Sequence, residues 1–179
     1  MTGEEAIAYI EHIPWQGVRL GLERTRELLE KLGNPEKNLR FVHIAGTNGK
    51  GSTAAMLAAV LQSAGYRTGL YISPFLQVFN ERMSVNGTMI SGEELGEITE
   101  QVRFSAEAME DRPTEFELMT AIAFLYFRRQ HCDIVVLEVG MGGRFDATNV
   151  ISRPLVSVIT RIGLDHTDVL GSTLGEIAF

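Results

Sequence analysis

The stretch Phe41-Val42-His43-Ile44-Ala45-Gly46-Thr47-Asn48-Gly49-Lys50-Gly51-Ser52-Thr53 constrains this chain more than any other. An apolar run, a glycine-rich turn holding one lysine, and small residues opening a long apolar run read as strand, turn and helix. That order aims several backbone N–H groups and the positive end of a helix at one spot, which is how proteins hold nucleotide phosphates. Gly46, Gly49 and Gly51 are expected to allow positive φ and close approach to an anion, since no Cβ stands in the way. Lys50 is expected to reach the terminal phosphates, and Ser52 or Thr53 to offer a hydroxyl near a magnesium ion. The spacing departs from the usual signature, which has four residues between its glycines and Ser or Thr directly after Lys. Here Thr47 and Asn48 alone separate Gly46 from Gly49, and Gly51 stands between Lys50 and Ser52. An ordinary tight turn is the plain alternative, but three glycines and a lysine exceed what a turn needs. The stretch is therefore read as a nucleotide site whose metal is held by something other than Ser52.

The remainder of the chain reads as helices alternating with buried strands. Thr2-Gly3-Glu4-Glu5, Ser91-Gly92-Glu93-Glu94 and Thr114-Glu115-Phe116-Glu117 each have capping-box spacing and open helices, the second running to about Met109. Another helix is expected over Leu22–Leu32, closed by Gly33-Asn34-Pro35, while Trp15 to Arg24 has no periodicity. Ala54 to Ala64 is small and apolar almost all round, which predicts a heavily buried helix. Thr68 to Ile72 reads as a short strand parallel to the first, because a helix joins them. Asn86-Gly87 marks a two-residue hairpin between short β segments, expected as an excursion outside the main sheet. Asp133 to Val139 reads as a buried parallel strand and Pro154 to Ile162 as the last one. A further helix starts at Thr173 and breaks off after about one turn, which suggests a piece of a longer protein. The fold class is thus α/β: a mostly parallel sheet flanked by helices, with a phosphate loop and a small β-hairpin.

Ligands bind open α/β sheets outside the carboxyl ends of the strands. Ser73-Pro74 leaves one such end, although any strand can end this way. Glu138 closes another, and a carboxylate there is costly to bury without a cation or strong donors. Glu138 is therefore the first candidate for a magnesium ligand, with a salt bridge to Arg144 or Arg161 as the alternative. Gly163-Leu164-Asp165-His166 leaves the last strand, giving His166 a metal or phosphate role in this company. Gly140-Met141-Gly142-Gly143 has a fragment of a dinucleotide fingerprint, but no apolar helix opens from it. Phe and Met in the helix after Thr114 read as core, while Glu115 and Glu117 could simply complement the helix dipole.

Composition excludes several classes. With 16 basic and 23 acidic residues the net charge is −7, which argues against a large nucleic-acid footprint. Cys132 is the sole cysteine, so no internal disulfide framework is possible, and its place before an apolar strand reads as a packed thiol rather than a nucleophile. The first 20 residues show no secretory order and no apolar run approaches the roughly 18 residues of a membrane span, so the cytoplasm is the expected compartment.

With these motifs laid out, the chain resembles the dihydrofolate synthase/folylpolyglutamate synthase family of the Mur ligase group. The matching stretches are Gly46 to Ser52, Ser73-Pro74 through Phe79-Asn80-Glu81-Arg82, Leu137 to Asn149, and Gly163 to Thr167; the unusual glycine spacing is the form this family uses. The resemblance implies that Asn48 to Gly51 hold ATP phosphates, that Ser73, Glu138 and His166 bind Mg2+, and that Lys50 stabilises the transferred phosphoryl group. It also implies a pterin site lined by Val18, Arg19 and Leu20, by Thr114, Glu115, Phe116 and Glu117, and by Phe145, Asp146 and Ala147. Phe75 sits where many relatives carry histidine. The implied reaction joins L-glutamate to dihydropteroate or to the glutamate tail of a folate through an acyl phosphate, the intact enzyme acting as a monomer. A phosphate-loop switch or ATPase module without ligase activity is the alternative. By the same resemblance, residues 1–179 are expected to be one truncated ATP-binding domain, inactive alone, with a carbamylated lysine and a C-terminal domain beyond Phe179.

Overall fold

The computed structural model describes residues 1–13 and 19–178. Its helices are α1 (Gly3–Glu11), α2 (Glu23–Lys31), α3 (Lys50–Ser63), α4 (Gly92–Glu107), α5 (Glu115–Arg129), and the short α6 (Thr167–Leu170) and α7 (Leu174–Ala178). Its strands are β1 (Phe41–Ala45), β2 (Thr68–Tyr71), β3 (Met83–Val85), β4 (Thr88–Met89), β5 (Ile134–Glu138) and β6 (Val156–Ile159). They form one sheet in the order β4-β3-β2-β5-β1-β6. β2, β5, β1 and β6 run parallel, while β3 pairs antiparallel with β2 and β4 antiparallel with β3.

The topology explains the layering. The chain passes from β1 through α3 to β2, then returns through α4 and α5 to β5, which inserts between them. Parallel crossovers are right-handed, so travel in opposite directions along the sheet puts the connecting helices on opposite faces. One face accordingly carries α3 over Val42, Ile44, Ile134 and Val136. The other carries α5, sealed in turn by α1, α2 and α4. Sandwiched between sheet and helices, α5 is buried on every side from Glu117 to Phe127. Its Phe124 meets Phe41 of β1 edge-on, with ring centroids 5.4 Å apart.

The three capping-box signals open helices, with Thr2, Ser91 and Thr114 each accepting from the amide three residues on. Two expectations are corrected. The hairpin at Asn86-Gly87 is present, with φ of 47° and 77°, but it is no excursion: β3 pairs with β2 and continues the main sheet. In α3 only Ala54 and Ala58 are buried, while Met56 and Val60 are 64% and 63% exposed. This helix lies alone on its face, touching the sheet along one narrow stripe, so an apolar surface all round does not bring burial all round. Leu57 and Leu61 flank that stripe, half-buried.

Candidate functional site

The turn predicted to cradle an anion joins β1 to α3. Gly46 adopts φ +132°, and a Cβ there would lie 2.0 Å from Thr160 Oγ1, so both conformation and space demand glycine. The turn is stitched to the segment after β6. The amides of Thr47 and Asn48 donate to the Arg161 carbonyl at 2.9 and 3.3 Å, and Thr47 Oγ1 accepts from the Gly163 amide at 3.0 Å. Gly49 (φ +84°) starts α3 without any side-chain cap, which leaves first-turn amides for another acceptor. Lys50 folds over the turn, its Nζ donating to the Gly46 and Thr47 carbonyls at 2.8 and 3.3 Å. Gly51 departs from expectation: it sits in the helix with no positive φ. Its amide hydrogen-bonds Glu138, and a Cβ there would lie 3.5 Å from Glu138 Oε2.

Glu138 ends β5 opposite Ile44 of β1, which sets its carboxylate beside the lysine turn. It is 3% exposed. Burial raises its pKa, opposed by the Ser73 amide, the Lys50 charge and the Gly51 amide. The Ser73 N–H donates to Glu138 Oε2 at 3.0 Å, joining the ends of β2 and β5. His166 takes left-handed backbone geometry (φ 47°) and lines two spaces. One is a small cleft with Gly46, Thr47, Lys50 and Asp165; the other is a cavity of about 540 Å³ with Ser73 and Pro74. Lys50, Ser73, Glu138 and His166 thus share one rim.

These residues suit Mg2+. The ion binds through one or two carboxylates and otherwise takes waters and substrate phosphates. Glu138 supplies one buried carboxylate, Ser73 a hydroxyl, and the uncapped turn a place for phosphates. Among the described residues no three His, Cys, Asp or Glu side chains gather into a ready-made cage, as suits an ion that keeps several waters and substrate phosphates.

The larger cavity is lined by Arg19, Leu20, Thr114, Phe116 and Glu117 on one side, and by Phe145, Asp146 and Ala147 on the other. Glu115 is not among its lining residues, and Val18 lies outside the described residues. Several polar members already have structural work. Glu117 accepts a two-point contact from Arg24, Nε at 3.0 Å and Nη2 at 2.8 Å, and also from the Thr114 amide. This is a buried ion pair rather than a simple complement to the helix dipole. Arg19 donates to both oxygens of Asp111 at 2.8 and 3.0 Å. Asp146 accepts from the Met141 and Thr148 amides, each at 2.9 Å, closing the loop after β5. Sequence reasoning assigned no role to Arg24, Asp111, Met141 or Arg82. Arg24 had a signal, a cation amid the buried positions of α2, but its partner lies 93 residues away.

A family model for the Mur ligase middle domain matches residues 44–178. The chain belongs to the Mur ligase family. Within it, the chain sides with the folate enzymes: it is 52% identical over 167 residues to the dihydrofolate synthase/folylpolyglutamate synthase of Bacillus subtilis, covering 90% of this chain and 39% of that protein. A solved FPGS–AMPPCP–folate complex superposes with a TM-score of 0.94 at 42% identity, over 99% of this chain and 44% of that one. Escherichia coli FolC in complex with DHPP and ADP superposes with a TM-score of 0.90 at 36% identity, over 99% and 42%. The chain therefore spans about two fifths of the length of these relatives.

Proposed function

We propose that this Mur ligase domain serves an ATP- and magnesium-dependent ligase that adds L-glutamate to dihydropteroate or to the glutamate tail of a folate. One observation carries the reading: the lysine turn, the Ser73–Glu138 pair and His166 meet at a rim that opens into a cavity of about 540 Å³. A phosphate-binding turn that served only a switch would need no such adjoining space. The relatives solved with AMPPCP and folate, or with DHPP and ADP, support the same pairing of nucleotide and pterin substrate.

The chemistry follows from opposing charges. An acceptor carboxylate attacks the γ-phosphorus of ATP, ADP leaves, and the amine of glutamate then displaces phosphate from the acyl phosphate to form the amide. Two anions must approach, and cationic donors fixed before the reaction lower that cost most effectively. Uncapped amides at the start of α3 hold the phosphates, and Lys50 swings from its own turn carbonyls to the transferred group. Glu138, Ser73 and His166 would hold magnesium, which supplies Lewis-acid stabilisation of phosphoryl oxygens when bound. Leu20, Phe116 and Phe145 offer apolar and aromatic surface for a flat pterin. The cytoplasm fits these small-molecule substrates, and among the described residues no helix is long and apolar enough to cross a membrane.

The test is ADP release by the full-length gene product. It should require both glutamate and a pteroate-type acid, and Lys50→Ala should abolish it. Near-normal turnover by the variant, or ADP release indifferent to both substrates, would refute the ligase in favour of a nucleotide switch.

A further inference from the structure

Arg82 stands apart from Arg19, which also lines the cavity, and from Arg24, which supports the wall through Glu117. Arg19 and Arg24 are committed to Asp111 and Glu117. The Arg82 carbonyl accepts from the Ile72 amide at 3.1 Å, which fixes this residue across from the end of β2, one position before Ser73. Its guanidinium carbon lies 5.1 Å from the Phe75 ring centroid and 5.5 Å from that of Phe79, so two aromatic rings hold the side chain. It lines the same cavity as Ser73 and Pro74. Its Nε is buried without a hydrogen-bond partner, and Arg82 enters none of the ion pairs among the described residues. The adjacent acid is already engaged: Glu81 accepts from the amides of Leu76, Gln77 and Val78 at 2.7, 3.0 and 3.0 Å. Residues 14–18 contain no acid.

A guanidinium held on aromatic faces is weakly hydrated and presents a rigid fork matched to carboxylate. A buried donor without an acceptor is costly unless a ligand completes it. We propose that Arg82 binds the non-reacting α-carboxylate of a glutamyl group, brought either by the terminal glutamate of a folate acceptor or by the incoming amino acid. This rests on the ligase reading above. The reacting carboxylate needs its lone pairs for attack on phosphorus, and a two-point grip on it would oppose that step. The α-carboxylate makes and breaks no bond, so the fork can hold it throughout. Dihydropteroate has one carboxylate, the reacting one, and a glutamate-tailed acceptor has a second. Bound to the acceptor's tail, Arg82 separates acceptors that differ by that group; bound to the incoming amino acid, it acts on glutamate with either acceptor.

The experiment measures kcat and KM of the full-length enzyme and its Arg82→Ala and Arg82→Lys variants for ATP, dihydropteroate, a monoglutamyl folate and glutamate. Arg82→Ala should raise the KM of one glutamate-bearing substrate about 10- to 100-fold while that of dihydropteroate moves less than about threefold. Whether folate or free glutamate is affected identifies the source of the carboxylate. Arg82→Lys keeps the stem between the two rings and should recover only part of the loss, because an ammonium lacks the fork. It carries the test if alanine loosens the loop. A matching rise in the KM of dihydropteroate or ATP, a fall in kcat with every KM unchanged, or full recovery with lysine would overturn the assignment. A wild-type enzyme without glutamate-dependent ADP release would instead remove the ligase reading itself.

Discussion

Acidification should weaken this fold through His43. The residue lies in the middle of β1, 9% exposed, with Nε2 2.8 Å from Thr148 Oγ1. The Thr148 hydroxyl donates to Asp146 Oδ1 at 2.5 Å, so its proton is committed and His43 must be the donor to it. Burial lowers the His43 pKa from 6.5 to about 4. Because the folded value lies below the unfolded one, the unfolded chain binds the proton first as pH falls. The stabilisation is present above about pH 6.5 and drains away down to about pH 4. At pH 5 the linkage amounts to RT times the logarithm of about 30, or roughly 2 kcal/mol, against about 0.2 kcal/mol at pH 7. Burial raises the pKa values of Glu138, Asp146 and Glu36, which contribute in the opposite direction. A single pH profile therefore mixes signs, and a difference measurement is required. His43→Gln keeps an amide donor toward Thr148 without a titrating ring, leaving the carboxylates common to both proteins. Urea denaturation at pH 7, 6 and 5 should show the wild type losing about 2 kcal/mol more than the variant between the extremes. Parallel losses in the two proteins would refute the argument, because His43 would then be free to accept a proton in the folded state.

Three other perturbations probe the site and its supports. Glu138→Gln should weaken magnesium-dependent nucleotide binding about 10- to 100-fold in calorimetry, with a much smaller change in chelator; an equal loss without magnesium would deny Glu138 a metal role. Arg24→Met leaves the Glu117 carboxylate, whose side chain is 5% exposed, unpaired, and should cost about 3–5 kcal/mol of stability, part of it recovered by adding Glu117→Gln. A thermal midpoint unchanged in the single variant would show that the pair contributes nothing. Gly46→Ala sets a methyl 2.0 Å from Thr160 Oγ1 at φ +132°, and should destabilise by about 1–3 kcal/mol and abolish nucleotide binding. Unimpaired binding would mean that the turn has slack the close contact denies.

How far the sequence could be read depended on whether each feature is local. The caps at Thr2, Ser91 and Thr114 concern groups three residues apart, and all three were legible. So was the lysine turn, whose glycines and flanking apolar runs lie within one short stretch. The insertion of β5 between β1 and β2 was not, because apolar composition tells a strand that it is buried and not between which neighbours. The exposure of α3 escaped for the same reason: its composition describes the helix, while burial depends on what is layered over it. Polar residues show this most clearly. Thr114 to Glu117 was readable as a marked segment, yet only folding reveals that Glu117 spends its carboxylate on Arg24, 93 residues away, and Arg19 its guanidinium on Asp111, 92 residues away. The cavity wall therefore sorts into side chains already partnered, which hold its shape, and side chains with capacity left for a ligand. Arg82, carried through the sequence as part of a motif and given no role, falls in the second group because its neighbouring acid is occupied by three backbone amides. Specificity at such a rim is thus decided by which charges the protein leaves unpaired, a property of long-range pairing that no local pattern can encode.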